Sequence, residues 1–395
     1  MNSTKSNELW SAPKLHTDEE EGKHFRVTWL ELFFDLVFVG AVAELSHLLV
    51  GHADSDHLFS FIFLFIPLWW VWIGSTYYNE RFQNNDISDR LLMLIQMIPV
   101  AALAVFIHGA TNETAVGFAL SYVLARSVII FNWLRGGYHN PIARPVTNRY
   151  VIGFTISISL WTLSILFQPP IMFIFWIIGL LIDLITPLFT FKLQAEKLPR
   201  ISTSHLPERF GLFTILVLGE SVLGVIAGMS NNDNLTPIVI ISAVFGLVLA
   251  FMLWWLYFDQ VAGRRPKYGT WWPARWVYSH LALVISITAI GAGILNVIAE
   301  SELTLHLENS LLLSGAVASA LIFIGFIEWT RGPDSDGTTY EHISQVRFIS
   351  SGIALMIGVL SYILNSALLL LVLLSILLLA LNILSIVKRG RLGSI

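Results

Sequence analysis

From Trp29 to Val387 the chain alternates long apolar stretches with short polar links. Twelve stretches can be marked out, at about 29–50, 57–79, 90–109, 113–134, 150–167, 171–191, 208–228, 235–258, 275–299, 309–330, 346–364 and 366–387. Each is close to the roughly 20 residues an α-helix needs to cross a hydrocarbon core about 30 Å thick. The tightest links are Gln168-Pro169-Pro170 and Asn365-Ser366. Fusing the stretches on either side would give a helix of about 40 residues, too long for a bilayer, so a hairpin is predicted at each. The expected fold is an all-α integral membrane protein of about twelve transmembrane helices.

The positive charges orient these helices. Lys and Arg fall in every second link: Lys5, Lys14, Lys23 and Arg26; Arg81 and Arg90; Arg135, Arg144 and Arg149; Lys192, Lys197, Arg200 and Arg209; Arg264, Arg265, Lys267 and Arg275; Arg331 and Arg347; Lys388, Arg389 and Arg391. These are 22 of the 23 basic residues, and the exception, Arg126, lies within a stretch. Basic links resist translocation, so this side and both termini are predicted to be cytoplasmic. Composition agrees, with 55% hydrophobic residues, 13% charged residues and a mean hydropathy of +0.70. There is no cysteine, which excludes thiolate metal sites and disulfides. Residues 1–28 read as a polar cytoplasmic tail with the acidic run Asp18-Glu19-Glu20-Glu21, lacking the apolar core of a signal peptide. The basic residues flank membrane helices, so no nucleic-acid partner is implied; the lipid bilayer is the expected partner.

The two halves resemble each other in order. Trp133-Leu134-Arg135-Gly136 matches Trp329-Thr330-Arg331-Gly332, and Leu68-Trp69-Trp70-Val71-Trp72 matches Leu253-Trp254-Trp255-Leu256-Tyr257. Six helices per half return the chain to its starting side, which implies two parallel six-helix pseudo-repeats, as in parallel-repeat transporters. The predicted division is a tail (1–28), a first half (29–192), a cytoplasmic linker (193–207), a second half (208–387) and a basic tail (388–395).

Ionisable groups at membrane depth cost roughly 2.5–3.5 kcal/mol each on insertion scales and call for an explanation. In the first stretch Glu31 and Asp35 share a face near the cytoplasmic end, and Glu44 and His47 share another further out. Asp35 and Glu44 point to opposite sides, so that helix should be buried. Counted from the cytoplasmic ends, Arg126 lies at roughly 12 Å and Asp35 at roughly 10 Å, which predicts an Arg126–Asp35 ion pair. Glu44 and Glu220 then lack an evident basic partner, the condition under which a buried carboxylate takes up a proton. These five residues, Glu44, Glu220, Asp35, Arg126 and His47, form the predicted proton, cation or substrate site. The plainer readings are that Glu31 and Glu208 cap helices or pair with Arg26 and Arg209, that Asp35–Arg126 only fixes packing, and that Glu44 and Glu220 make structural hydrogen bonds. His47, His52 and His57 read as an exposed polar turn rather than a metal site. Asp183 and Asn296 are further polar intrusions with no evident partner. Trp69 and Trp70 sit deeper than an interfacial belt and read as core.

Two segments carry a resemblance. Glu31-Leu32-Phe33-Phe34-Asp35-Leu36-Val37-Phe38-Val39 resembles the opening signature of the bacterial low temperature requirement A (LtrA) family. Glu208-Arg209-Phe210-Gly211-Leu212-Phe213, with Val217-Leu218-Gly219-Glu220-Ser221, resembles its second signature. Gly40 departs from the bulkier residue expected there. The resemblance implies a bacterial inner-membrane protein linked to growth in the cold, and brings no substrate, reaction or catalytic residue with it.

Together these readings predict a secondary transporter coupled to protons or another cation through Glu44 and Glu220, carrying a small substrate by alternating access. The first and seventh helices are expected to be central, with their carboxylates at the interface between halves. The competing classes are an ion channel and a non-transporting factor acting on lipid or envelope. Ser221 is adjacent to Glu220 and so about 100° away around the helix, which argues against a nucleophile–base pair and an enzyme. No cofactor is implied, and oligomeric state is left open.

Overall fold

The computed structural model describes residues 9–16, 27–83, 86–198, 205–232, 234–264, 266–267, 271–331 and 341–392. The acidic run at 18–21, Lys5, Lys23, Arg26, Arg200, Arg265 and the linker residues 199–204 lie outside them. Among the described residues the chain forms twelve α-helices: α1 (Trp29–His47), α2 (Ser55–Arg81), α3 (Ile87–Phe106), α4 (Ala115–His139), α5 (Arg144–Ser164), α6 (Ile171–Lys197), α7 (His205–Ser230), α8 (Pro237–Gln260), α9 (Trp272–Ala299), α10 (Leu307–Thr330), α11 (Glu341–Ile363) and α12 (Ala367–Leu392). A two-stranded antiparallel ribbon pairs β1 (Lys14–Leu15) with β2 (Phe82–Gln83).

Local sequence sets the helix ends. The Asp86 carboxylate accepts the Asp89 amide at the start of α3, and the Thr236 hydroxyl accepts that of Val239 at the start of α8, where Pro237 opens the helix. Both predicted hairpins separate helices. α5 ends before Gln168-Pro169-Pro170, and the α11–α12 turn is closed by Asn365 in the left-handed region, φ +49°.

Ten of these helices are long and apolar enough to cross a membrane. α1 and α5 fall outside that group. α1 carries Glu31, Asp35 and Glu44 within 19 residues, and α5 carries Arg144, Arg149 and several Thr and Ser. Large apolar side chains lie exposed in helical register, as Leu91, Leu94, Ile98 and Val105 do on α3. An apolar face of that extent is stable only against lipid, so this is an integral membrane protein.

The chain divides into two compact units, residues 1–45 with 63–209, and residues 46–62 with 210–395. In the first, α3 packs on α4, α4 on α5 and α5 on α6. Its core is aromatic, with Trp69, Trp72, Trp133, Trp161 and Trp176 fully buried. In the second, α9, α10 and α11 pack in sequence and α12 packs on α8. Gly224 of α7 is needed there, because a Cβ would fall 2.3 Å from the Gly291 carbonyl oxygen of α9. Gly219, five residues earlier on the same helix, faces open space.

Candidate functional site

In the first unit Arg126 and Asp35 lie in two separate buried charge clusters, where the sequence predicted one. Arg126 donates to Asp183 Oδ1 at 2.7 Å, both residues being fully buried. Asp183 Oδ2 also accepts from the Tyr122 hydroxyl at 2.5 Å and the Ser157 hydroxyl at 2.8 Å. The Arg126 guanidinium lies over the Phe154 ring, 4.0 Å from its centroid. Gly74 of α2 leaves room for it, since a Cβ there would fall 2.8 Å from Arg126 Nη1. This compact cluster reads as a packing lock.

The predicted Arg126–Asp35 pair is therefore corrected. α4 runs to His139 instead of ending near 134, so Arg126 lies deeper than the count along the stretch placed it. Depth along an axis also ignores rotation about it. The partner of Arg126 is Asp183, the intrusion that lacked one in the sequence.

Asp35 belongs to a second cluster. Its Oδ1 accepts from Arg209 Nη2 at 2.7 Å and from the Trp72 indole at 2.8 Å, while Oδ2 is buried without a hydrogen bond among the described residues. Arg209 also reaches Thr76 Oγ1 at 3.4 Å and lies 3.9 Å from Glu31 Oε1. Glu31 closes a capping box at the start of α1, its Oε2 accepting the Thr28 amide and hydroxyl while the Thr28 hydroxyl accepts the Glu31 amide. Glu31 Oε1 in turn stands 3.5 Å from His205 Nε2, and His205 Nδ1 stands 2.8 Å from Glu80 Oε2. Glu80, His205, Glu31, Arg209 and Asp35 thus form a chain of alternating acid and base, every member at most 4% exposed.

Its parts come from three helix segments: the first turns of α1, the last turn of α2 and the first turn of α7. Each of those ends adjoins a basic link. An imidazole bonded to one carboxylate through Nδ1, with a second carboxylate 3.5 Å from Nε2, can take a proton on one side and release it on the other. A charge cluster of this size has a large desolvation cost, which its internal pairing offsets.

The remaining predicted residues are placed elsewhere. Glu44 is not a partnerless buried carboxylate, since its side chain is 39% exposed and its Oε2 lies 2.8 Å from His108 Nε2. His47 is exposed at the end of α1. Glu220 is buried in the second unit, Glu208 is exposed, and Phe34 is buried. Asn296 is also accounted for: its side chain binds the Leu49 carbonyl, the Gly51 amide and Asn309.

Sequence reasoning missed His205 and Glu80. His205 fell in the predicted linker, 193–207, and Glu80 fell one residue beyond the second predicted stretch, 57–79. For His205 the signal available was its place beside the ionisable groups that open the second signature segment; Glu80 lies beside neither segment.

A model of the bacterial low temperature requirement A protein family (LtrA) matches residues 26–386, nearly the whole chain. An uncharacterised protein of Rhizobium meliloti (strain 1021), RA0937, is 28% identical over 294 residues, covering 69% of this chain and 70% of its own length.

Proposed function

The chain belongs to the bacterial low temperature requirement A family, and on that premise we propose that it is a secondary transporter coupled to protons or another small cation. One observation carries this reading: His205 bridges two buried carboxylates, Glu80 and Glu31, and the series continues through Arg209 to Asp35. Intramembrane ionisable groups arranged in series are the usual means of moving a proton across part of a bilayer. The coupling role passes from Glu44 and Glu220, where the sequence alone placed it, to this chain. Asp35 Oδ2 provides an acceptor at its inner end.

In this reading all twelve helices span a bacterial inner membrane, including the charged α1 and the polar-ended α5, and both termini are cytoplasmic. The halves descend from a duplicated six-helix unit. The substrate is a small molecule that alternating access carries in exchange or symport with the cation. The residues act by binding and release; the protein is not an enzyme.

The test is proton flux into liposomes holding the purified protein, followed with an internal pH dye under an imposed potassium-diffusion potential. Wild-type flux above that of empty liposomes, and its loss in Glu31→Gln and Glu80→Gln variants that insert normally, is the expected result. Equal flux in wild type and both variants would contradict the assignment.

A further inference from the structure

The link between α1 and α2 carries a second constellation, in the second unit and unrelated to the charge chain. His52, Asp54 and His57 each offer a ligand atom, and these atoms lie within 4.8 Å of one another. The His52 and His57 rings stack, 4.8 Å between centroids at 16°, and His57 Nδ1 lies 2.7 Å from Asp54 Oδ2. Sequence reading treated the histidines as a polar turn because it grouped them with His47 and left out Asp54.

We propose that His52, Asp54 and His57 bind one divalent transition-metal cation of the zinc type, with water completing the coordination. The donor set is the borderline imidazole–carboxylate mixture that zinc, copper and nickel prefer over calcium or magnesium. Three protein ligands on a half-exposed turn describe an open site rather than a closed structural one. A tetrahedral zinc site has ligand edges of about 3.4 Å, so the three atoms need only side-chain rotation to close on an ion.

The backbone beneath them is fixed. The buried Asn296 side chain of α9 accepts the Gly51 amide at 3.0 Å and donates to the Leu49 carbonyl at 2.8 Å. Gly51 itself turns the chain in the left-handed region, φ +71°. Asn296 is tied on to Asn309 at 3.0 Å, and Asn309 to Glu300 at 2.7 Å, so the turn stands on a hydrogen-bonded base. The two oxygens of Asp54 divide their work. Oδ1 accepts the Asp56 and His57 amides, capping α2, which leaves Oδ2 directed at His57. Those bonds, first among them the His57 amide, hold the Asp54 carboxyl below its ordinary range, so it is an anionic ligand at neutral pH.

The experiment is titration of the full-length protein in detergent, purified without a polyhistidine tag and stripped with chelator, with Zn2+ against a chromophoric competitor. Wild type, His52→Gln, His57→Gln and His108→Gln are compared. His52 is exposed, so its replacement leaves the fold intact. The expected result is one equivalent of Zn2+ bound by wild type and by His108→Gln, and binding weakened at least about tenfold in His52→Gln and His57→Gln. Absence of binding by wild type overturns the proposal, as does an isotherm that His52→Gln and His57→Gln leave unchanged or that only His108→Gln alters.

Discussion

At the residue scale, the main lesson is that a buried charge is explained by its partner. Asp35 and Arg209 are both fully buried and bound at 2.7 Å. Arg209→Gln strands a carboxylate and should cost about 3–5 kcal/mol, whereas Asp35→Asn with Arg209→Gln should cost less than the sum of the two single changes. Thermal unfolding in one detergent, run as a double-mutant cycle, measures that coupling, and strict additivity would contradict the pairing. Glu44 sits at the other extreme. Half-exposed beside His108, it should tolerate Glu44→Gln within about 1 kcal/mol in the same assay. Asp35 and Arg126 were legible in the sequence because a charge in an apolar helix stands out, whereas Arg209 was counted with a basic link. Arg209, His205 and Glu80 were not legible as members of one cluster, because they sit at helix ends, where polar residues are ordinary and a small boundary error hides them.

At the element scale, apolar length and the turn residues Pro169, Pro170 and Asn365 made all twelve helices legible. The strap formed by residues 9–16 was not, because its contacts are made by backbone groups. Ser11 donates its amide and hydroxyl to Asp86, Arg135 donates to the Ser11 carbonyl, Asn140 donates to the Pro13 carbonyl, and β1 pairs with β2. Burial raises the Asp86 pKa, yet the bonds from Ser11, Asp89 and Ser88 outweigh it and hold the group below the ordinary carboxylate range. A depressed native pKa contributes stability that is present above the unfolded pKa and lost as pH falls through the native one. The protection factors of the amides in residues 11–16 should therefore fall below the ordinary carboxylate range, and Asp86→Asn should lack that protection at every pH. A wild-type protection factor that does not change with pH would contradict this. The α7 glycines make a second contrast. Gly224→Ala meets the Gly291 carbonyl and should lower the melting temperature, while Gly219→Ala meets open space and should leave it unchanged or raise it.

At the scale of the whole molecule, the sorting of 22 basic residues to alternate links predicts the orientation in the membrane. The absence of cysteine makes that directly measurable. Single cysteines at Asn112 and Ser301 should react with an impermeant maleimide from outside intact cells, and cysteines at His139 and Lys197 only after permeabilisation; the reverse pattern would invert the topology. The measurement that reaches the central claim most directly is chemical rescue at His205. His205→Ala removes the imidazole from between Glu80 and Glu31 and leaves a space of that shape. Proton flux in liposomes should fall to the empty-liposome level, return with added imidazole, and fail to return with pyrrole, which has a similar size but no basic nitrogen. Undiminished flux in His205→Ala, or equal rescue by pyrrole, would show that His205 supports packing alone and that protons take another path.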